Sequence, residues 1–185
     1  MANRICRPVT AVPDYMVLNV SVPTGKTYYA GDVLLVNALD TNIAGNWSVF
    51  TPVEPATANL GTRMAIVING GFETLSDGRR PNGQPDYSQY SFVEGDIMTV
   101  ILLTEGVTFE LSTDSLGSGT ATVGYSVHPV DGATKMTTAA TTPAGTYSAL
   151  NTLAKRSFRA GGQFGGSFIS TIIVQVKQPT LVAVV

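Results

Sequence analysis

A chain with one histidine has few routes to acid–base chemistry, and here that histidine is His128, set in Thr122-Val-Gly-Tyr-Ser-Val-His-Pro-Val130. A general base needs a nucleophile and an orienting acid within hydrogen-bond reach, so any Ser-His-acid arrangement would have to use this residue. Ser126 falls on the same face of a strand, two residues away, but no serine of the chain sits in a Gly-x-Ser-x-Gly elbow. His128 is therefore read as a structural or surface residue, and Asp114-Ser115-Leu116 as a turn. Glu94 with Asp96 and Glu105 with Glu110 are close enough in sequence to ask for glycosidic chemistry, which needs two carboxylates flanking one bond. They stand beside glycines at strand edges with no aromatic cluster to hold a sugar, and read as turn acids. The stretch from Asp77 to Asp86 has acids only at its ends and Arg79 and Arg80 between them, which opposes a calcium loop. Gly161, Gly162, Gly165 and Gly166 fit neither a dinucleotide fingerprint nor a phosphate loop. Cys6 is the single cysteine, so the chain alone builds neither a disulfide nor a thiolate metal cluster. No catalytic residue, metal or cofactor is expected.

The remaining chemistry is that of binding. Lys155-Arg156-Ser157-Phe158-Arg159 is the densest basic patch and carries an aromatic, the minimum for phosphate pairing with base stacking. Three charges in a chain of pI near 5.3 make a poor nucleic-acid binder, so Lys155, Arg156, Phe158 and Arg159 are candidates for contact with a protein partner. The apolar end, Thr180-Leu-Val-Ala-Val-Val185, adds Leu181, Val182, Val184 and Val185 to that candidate surface.

These residues need a scaffold, and the apolar segments are short, rich in Val, Ile and Thr, and bounded by Gly, Pro, Asn or Asp, as strands are. Strands are expected near 15–22, 32–38, 47–50, 63–68, 96–103, 107–111, 120–130 and 168–176. Tyr15 to Val22 alternates as a half-buried strand should, while Ile97 to Leu103 is nearly continuous and suits a central one. One helix is expected over Thr146–Arg156, where Tyr147, Leu150 and Leu153 recur at helical spacing. The fold class is all-β, mainly antiparallel, a sandwich or barrel with long loops and at most that one short helix. Residues 1–14 read as an extended arm, 15–178 as one domain and 179–185 as an apolar tail. Tyr29-Ala-Gly-Asp-Val and Val93-Glu-Gly-Asp-Ile place Gly-Asp before a strand twice, which is read as two independent turns using the same chemistry. The polar excursion from Ser76 to Asp86 and the glycine-rich connector from Ala160 to Ser167 are the long loops.

Composition points towards assembly. Charged residues are only 13% of the chain, where about 25% is ordinary, and interface cores are depleted in Lys, Glu and Asp. Up to Asp131 there are six bases against thirteen acids, a net of −7, and after it five bases and no acid. Such a charge dipole favours head-to-tail contact between copies, or docking of the basic end on an acidic surface. The first residues hold no apolar run of signal-peptide length and no stretch approaches the roughly 18 apolar residues of a membrane helix, so neither export nor membrane insertion is expected. Asn19-Val20-Ser21 and Asn46-Trp47-Ser48 are then chance matches to the glycosylation triplet.

The proline-containing start, Gly-Asp strand entries, abundant Thr, Gly and Ala, scarce Cys and His, and apolar tail together resemble the head decoration, or cement, proteins of tailed bacteriophages. The resemblance implies a non-enzymatic β-fold that oligomerises, often as a trimer, on the outer face of a capsid and bridges subunits of the major capsid protein or other virion proteins. Two other readings stand beside it: a tail-tube or head–tail joining protein, and a carbohydrate- or cell-surface-binding module carrying Trp47 and seven tyrosines.

Overall fold

The computed structural model describes residues 4–41, 49–56, 64–68, 91–141, 150–159 and 168–177. Its strands in chain order are β1 (Cys6–Pro8), β2 (Val17–Ser21), β3 (Thr27–Tyr29), β4 (Val33–Leu39), β5 (Val49–Val53), β6 (Met64–Val67), β7 (Ser91–Val93), β8 (Ile97–Leu102), β9 (Thr108–Ser112), β10 (Leu116–Ser118), β11 (Ser126–Val130), β12 (Ala133–Ala139), β13 (Leu150–Arg159) and β14 (Phe168–Val176). Among the described residues the helical content is two single turns of 3-10 helix, Asp14–Met16 and Thr113–Ser115. The all-β expectation holds.

The strands form two layers and a small ribbon. Strands β2-β5-β4-β6-β8 close into a barrel, β1-β9-β14-β13-β11-β12-β10 form an open seven-stranded sheet, and β3 pairs with β7 as a ribbon at the barrel's end. Pairing is antiparallel except for β2 with β5 and β10 with β12. The two-residue period of a strand divides the barrel side chains between two cores. Leu34 and Val36 of β4, Ala65 and Val67 of β6, and Val100 and Leu102 of β8 fill the barrel with Tyr28 and Phe92 of the ribbon. Val33, Leu35, Met64, Ile66 and Ile101 point the other way and pack with Phe109, Leu111, Val127, Met136, Leu150, Ile172 and Val174 of the sheet. Strands buried on both faces read as continuous apolar runs, which is why Val33–Val36 and Ile97–Leu103 lack alternation.

Three expectations need correction. Residues 150–156 are not helical: they belong to β13, in antiparallel register with β14 from Leu150 opposite Val176 to Arg159 opposite Phe168. A bulge between Thr152 and Ala154 inserts Leu153 as an extra residue. Leu150 and Leu153 stand at the spacing of a helix, but the insertion breaks the period of two and leaves Leu150 buried and Leu153 exposed; residues 146–149 lie outside the described set. Residues 120–125 are not strand, because Thr122–Tyr125 is a turn closed by the Tyr125 amide on the Thr122 carbonyl, with Gly124 at φ 87°. The arm is not free over residues 4–8. Arg4, Ile5 and Cys6 are buried, and β1 pairs with β9 as the sheet's edge strand, Cys6 opposite Leu111. Pro8 lacks a ladder donor and is tolerated on that edge.

The two Gly-Asp turns share one geometry. Asp32 and Asp96 each donate their amide back to residue i−3, Tyr29 and Val93, and accept that residue's amide on Oδ2 at 2.8 Å, with Gly31 and Gly95 at φ 86° and 87°. The strands leading into them, β3 and β7, pair with each other. Asp32 does more than close its turn: its Oδ1 accepts from buried Arg4 Nη2 at 2.6 Å and from Thr134 Oγ1 of β12 at 3.0 Å. Breaking a buried pair from one side costs on the order of 3–5 kcal/mol. Asp32→Ala is expected to lower unfolding free energy in urea by that amount, and Thr134→Val by about 1 kcal/mol; equal and negligible losses would remove Asp32 as the joint between the layers.

Candidate interaction surfaces

The reactive-looking side chains are built into the fold. His128 lies in β11 opposite Thr137, buried, its Nδ1 without a hydrogen-bond partner among the described residues. Desolvation lowers its pKa below the ordinary histidine value. Ser126 is buried on the same strand, between Ala139 and Asn151. Cys6 is fully buried and burial drives its thiol pKa upward, so the thiolate is disfavoured. Glu110 accepts Arg7 Nε and Nη2 on Oε2 at 2.9 and 2.6 Å and Thr171 Oγ1 on Oε1 at 2.7 Å, which pins β1 to the sheet. Glu94 accepts Thr24 Oγ1 at 2.9 Å and the Gly25 amide at 3.1 Å. These acids organise turns and edges. Among the described residues no group of three His, Cys, Asp or Glu is placed to hold a metal ion.

The basic residues fall on a strand that leaves its sheet. The Thr152 amide bonds to the Tyr125 carbonyl and the Gly124 amide to the Thr152 carbonyl, and beyond this point β13 pairs only with β14 among the described residues. In turn β14 pairs with β9 only from Thr171 to Gln175, leaving Phe168–Ser170 beside β13 and the Thr113 hydroxyl, which donates to the Ser170 carbonyl at 3.3 Å. Lys155, opposite Ile172, is exposed; Arg156, Phe158 and Arg159 follow opposite Thr171, Ile169 and Phe168. Among the described residues the patch therefore rides on a two-stranded segment of β13 and β14. Where this segment begins, three apolar side chains face water: Val123 at 57%, Tyr125 at 36% and Leu153 at 43% exposure. Leu153 is the bulged residue. Of the sequence candidates, Lys155, Arg156, Phe158 and Arg159 lie on β13, where only the Lys155 side chain is described and successive residues turn to opposite faces; Leu181, Val182, Val184 and Val185 lie outside the described residues.

Sequence reasoning missed a second surface. On the ribbon Tyr28 and Phe92 face the barrel core, so Tyr29 and Val93 face outward, and Val93 is 47% and neighbouring Ile97 50% exposed. Acids border them: Glu94 and Asp96 in the turn, and Glu54, which pairs with Lys26 at 2.9 Å. Tyr28 beneath has its pKa pushed up to about 12, by burial first and then by Glu54 and Asp32. The signal was present in Phe92-Val-Glu-Gly-Asp-Ile97, whose Val and Ile fall on the solvent side once Phe92 is placed in the core.

The charge dipole of the sequence is only partly carried into the layers. The five bases after Asp131 lie on the sheet or at its end, at Lys135, Lys155, Arg156, Arg159 and Lys177, together with Glu110, Asp114 and Asp131, while Asp14, Asp32, Asp40, Glu54, Glu94 and Asp96 belong to the barrel and its ribbon together with Lys26. Compared with known proteins, the chain matches no family model, no curated protein and no solved structure.

The buried histidine makes a pH prediction. The fold holds the ring neutral to lower pH than the unfolded chain does, so the unfolded state binds the extra proton first as pH falls below about 6.5. Stability is then lost from that point down through the depressed folded value. Thermal melts from pH 7.5 to 5.0 are expected to show a falling midpoint for the wild type and a shallower fall for His128→Gln; parallel curves would remove His128 as the cause.

Proposed function

We propose that this chain is a non-enzymatic structural protein of a virus head, a decoration protein that binds the outer shell, bridges shell subunits and associates with copies of itself. The observation that carries the reading is the pair of exposed apolar surfaces, Val123, Tyr125 and Leu153 on one side and Tyr29, Val93 and Ile97 on the other, on a β body whose barrel strands are packed on both sides. A chain with only 13% charged residues suits permanent contact, since interface cores are depleted in Lys, Glu and Asp. Rigid docking surfaces bind without a large ordering cost, because their side chains are already placed in the free protein. The same opposed surfaces would serve ring stacking in a tail tube or a head–tail joint, which is the second reading they favour.

The test starts from the coding region. Genes for a major capsid protein, a portal or a tail tube are expected beside the one that encodes this chain. Co-expressed with the neighbouring shell protein, the chain should pellet with the assembled particles in fixed proportion, and immunogold label should fall on heads rather than on tails. A neighbourhood without virion genes, or particles that never retain the chain, overturns the reading; label confined to tails selects the tube or joint instead.

A further inference from the structure

We infer that residues 4–8 form a latch that lifts from the body as a unit while barrel and sheet stay folded, and that the outward face of the ribbon is ordered only while the latch is closed. The latch is a property of the single chain and holds or fails independently of the head reading. Contacts along the whole segment close it. Arg4 is buried, bonds Asp32 at 2.6 Å and lies 5.1 Å from the centroid of the Tyr29 ring. The Ile5 amide donates to Ser112 Oγ and the Ser112 amide to the Ile5 carbonyl, both at 2.9 Å. Cys6 fills the core between the layers, opposite Leu111. Arg7, its side chain half exposed, holds buried Glu110 from the surface.

The segment is also built to open. It lies at the sheet's edge, in a strand of three residues, and Arg7 to Ala11 and Pro13 to Tyr15 are exposed; a chain end with so little burial opens at a lower free energy than the core. Its charges resist substitution more than they resist lifting. Truncating one partner leaves the other charge buried alone, whereas lifting parts both ion pairs and admits water to all four groups. The body does not need the segment to stay joined, because Met64, Ile66 and Ile101 of the barrel still pack on Phe109, Ile172 and Val174 of the sheet. The ribbon does need it. With the latch lifted, Tyr29 loses the cation behind its ring, and Asp32, which accepts the Tyr29 amide, loses its ion pair. Two strands of three residues are too short to keep their shape without that support.

Cys6 reports the latch, being the single cysteine of the chain and fully buried in this segment. A buried thiol whose pKa is driven upward does not react, so an aromatic disulfide reagent that releases a coloured thiolate labels the full chain only through an opening. Wild type is expected to label completely in native buffer with its circular dichroism unchanged, at a rate that low urea barely alters, since lifting a short segment bares little surface. Val100→Ala, in the barrel core, lowers the folded-to-unfolded ratio about tenfold or more and should leave the labelling rate unchanged. Arg7→Gln breaks the outer pair and should raise that rate about tenfold. The labelled chain cannot close over its adduct, and its amide exchange should quicken at residues 27–32 and stay slow at residues 171–175. A rate that climbs with urea as steeply as global unfolding, that Val100→Ala accelerates or that Arg7→Gln leaves alone overturns the latch, as does a thiol that never labels in native buffer. Unchanged exchange at residues 27–32 overturns its hold on the ribbon. Should Val100→Ala fail to fold, the urea series on the wild type decides between latch and global opening.

Discussion

The structure turns on one carboxylate. Asp32 sits under the end of the barrel where the ribbon, the first residues of the chain and the open sheet meet, and it takes a hydrogen bond from each: the Tyr29 amide, Arg4 Nη2 and Thr134 Oγ1. A buried ion pair offsets its desolvation only when the remaining lone pairs are also satisfied, and here the turn and the opposite layer supply those donors. The location is tightly built. Gly31 stands at φ 86°, and a Cβ there would come within 2.6 Å of Ser115. The Ser115 hydroxyl in turn donates to the Ala30 carbonyl and meets Ser112 Oγ, which accepts the Ile5 amide. The joint between the layers is therefore polar and directional where the cores beside it are apolar and non-directional, and it sets how barrel and sheet sit on one another.

That joint reaches the surface. The Arg4 guanidinium lies 5.1 Å from the centroid of the Tyr29 ring, a cation–π distance, and Tyr29 belongs to the outward face of the ribbon. One side of the ring is held by a buried cation while the other faces water. Tyr28, the next residue, faces into the barrel core. The ribbon has only three residues per strand, too short to be stable alone, and it keeps its shape because the ion pair and the barrel core grip it from beneath. An outward face held in this way can bind without first being ordered.

The fold was legible where a single rule decided it. Continuous apolar runs bounded by turn residues marked β4, β6 and β8, and Gly-Asp marked the entries to β4 and β8, because burial on both faces and a positive φ each leave a direct trace in residue type. Strands held by pairing rather than by apolar content left little trace. In β12, Ala133-Thr-Lys-Met-Thr-Thr-Ala139, Met136 is the large apolar residue, and β1 is three residues long. The misread element, β13, shows how a spacing can mislead: Leu150 and Leu153 stand three apart as on one helix face, yet in the bulged strand Leu150 is buried and Leu153 is exposed. On the surface, the basic cluster was visible as a charge run, whereas its apolar centre joins Val123 and Tyr125 to Leu153 across a turn and a strand crossing, and the sequence carries no local sign of that proximity.

The bulge also bears on why that centre is exposed. A regular β13 would continue its alternation past Thr152, which is buried, and would carry β11 alongside it. With one extra residue in β13 the two strands part, the Thr122–Tyr125 turn caps the divergence, and among the described residues β13 continues paired with β14 alone. Proteins usually blunt such an edge with charges, and three of the five residues from Lys155 to Arg159 are basic. Charge of one sign protects against a like edge and not against an opposite one.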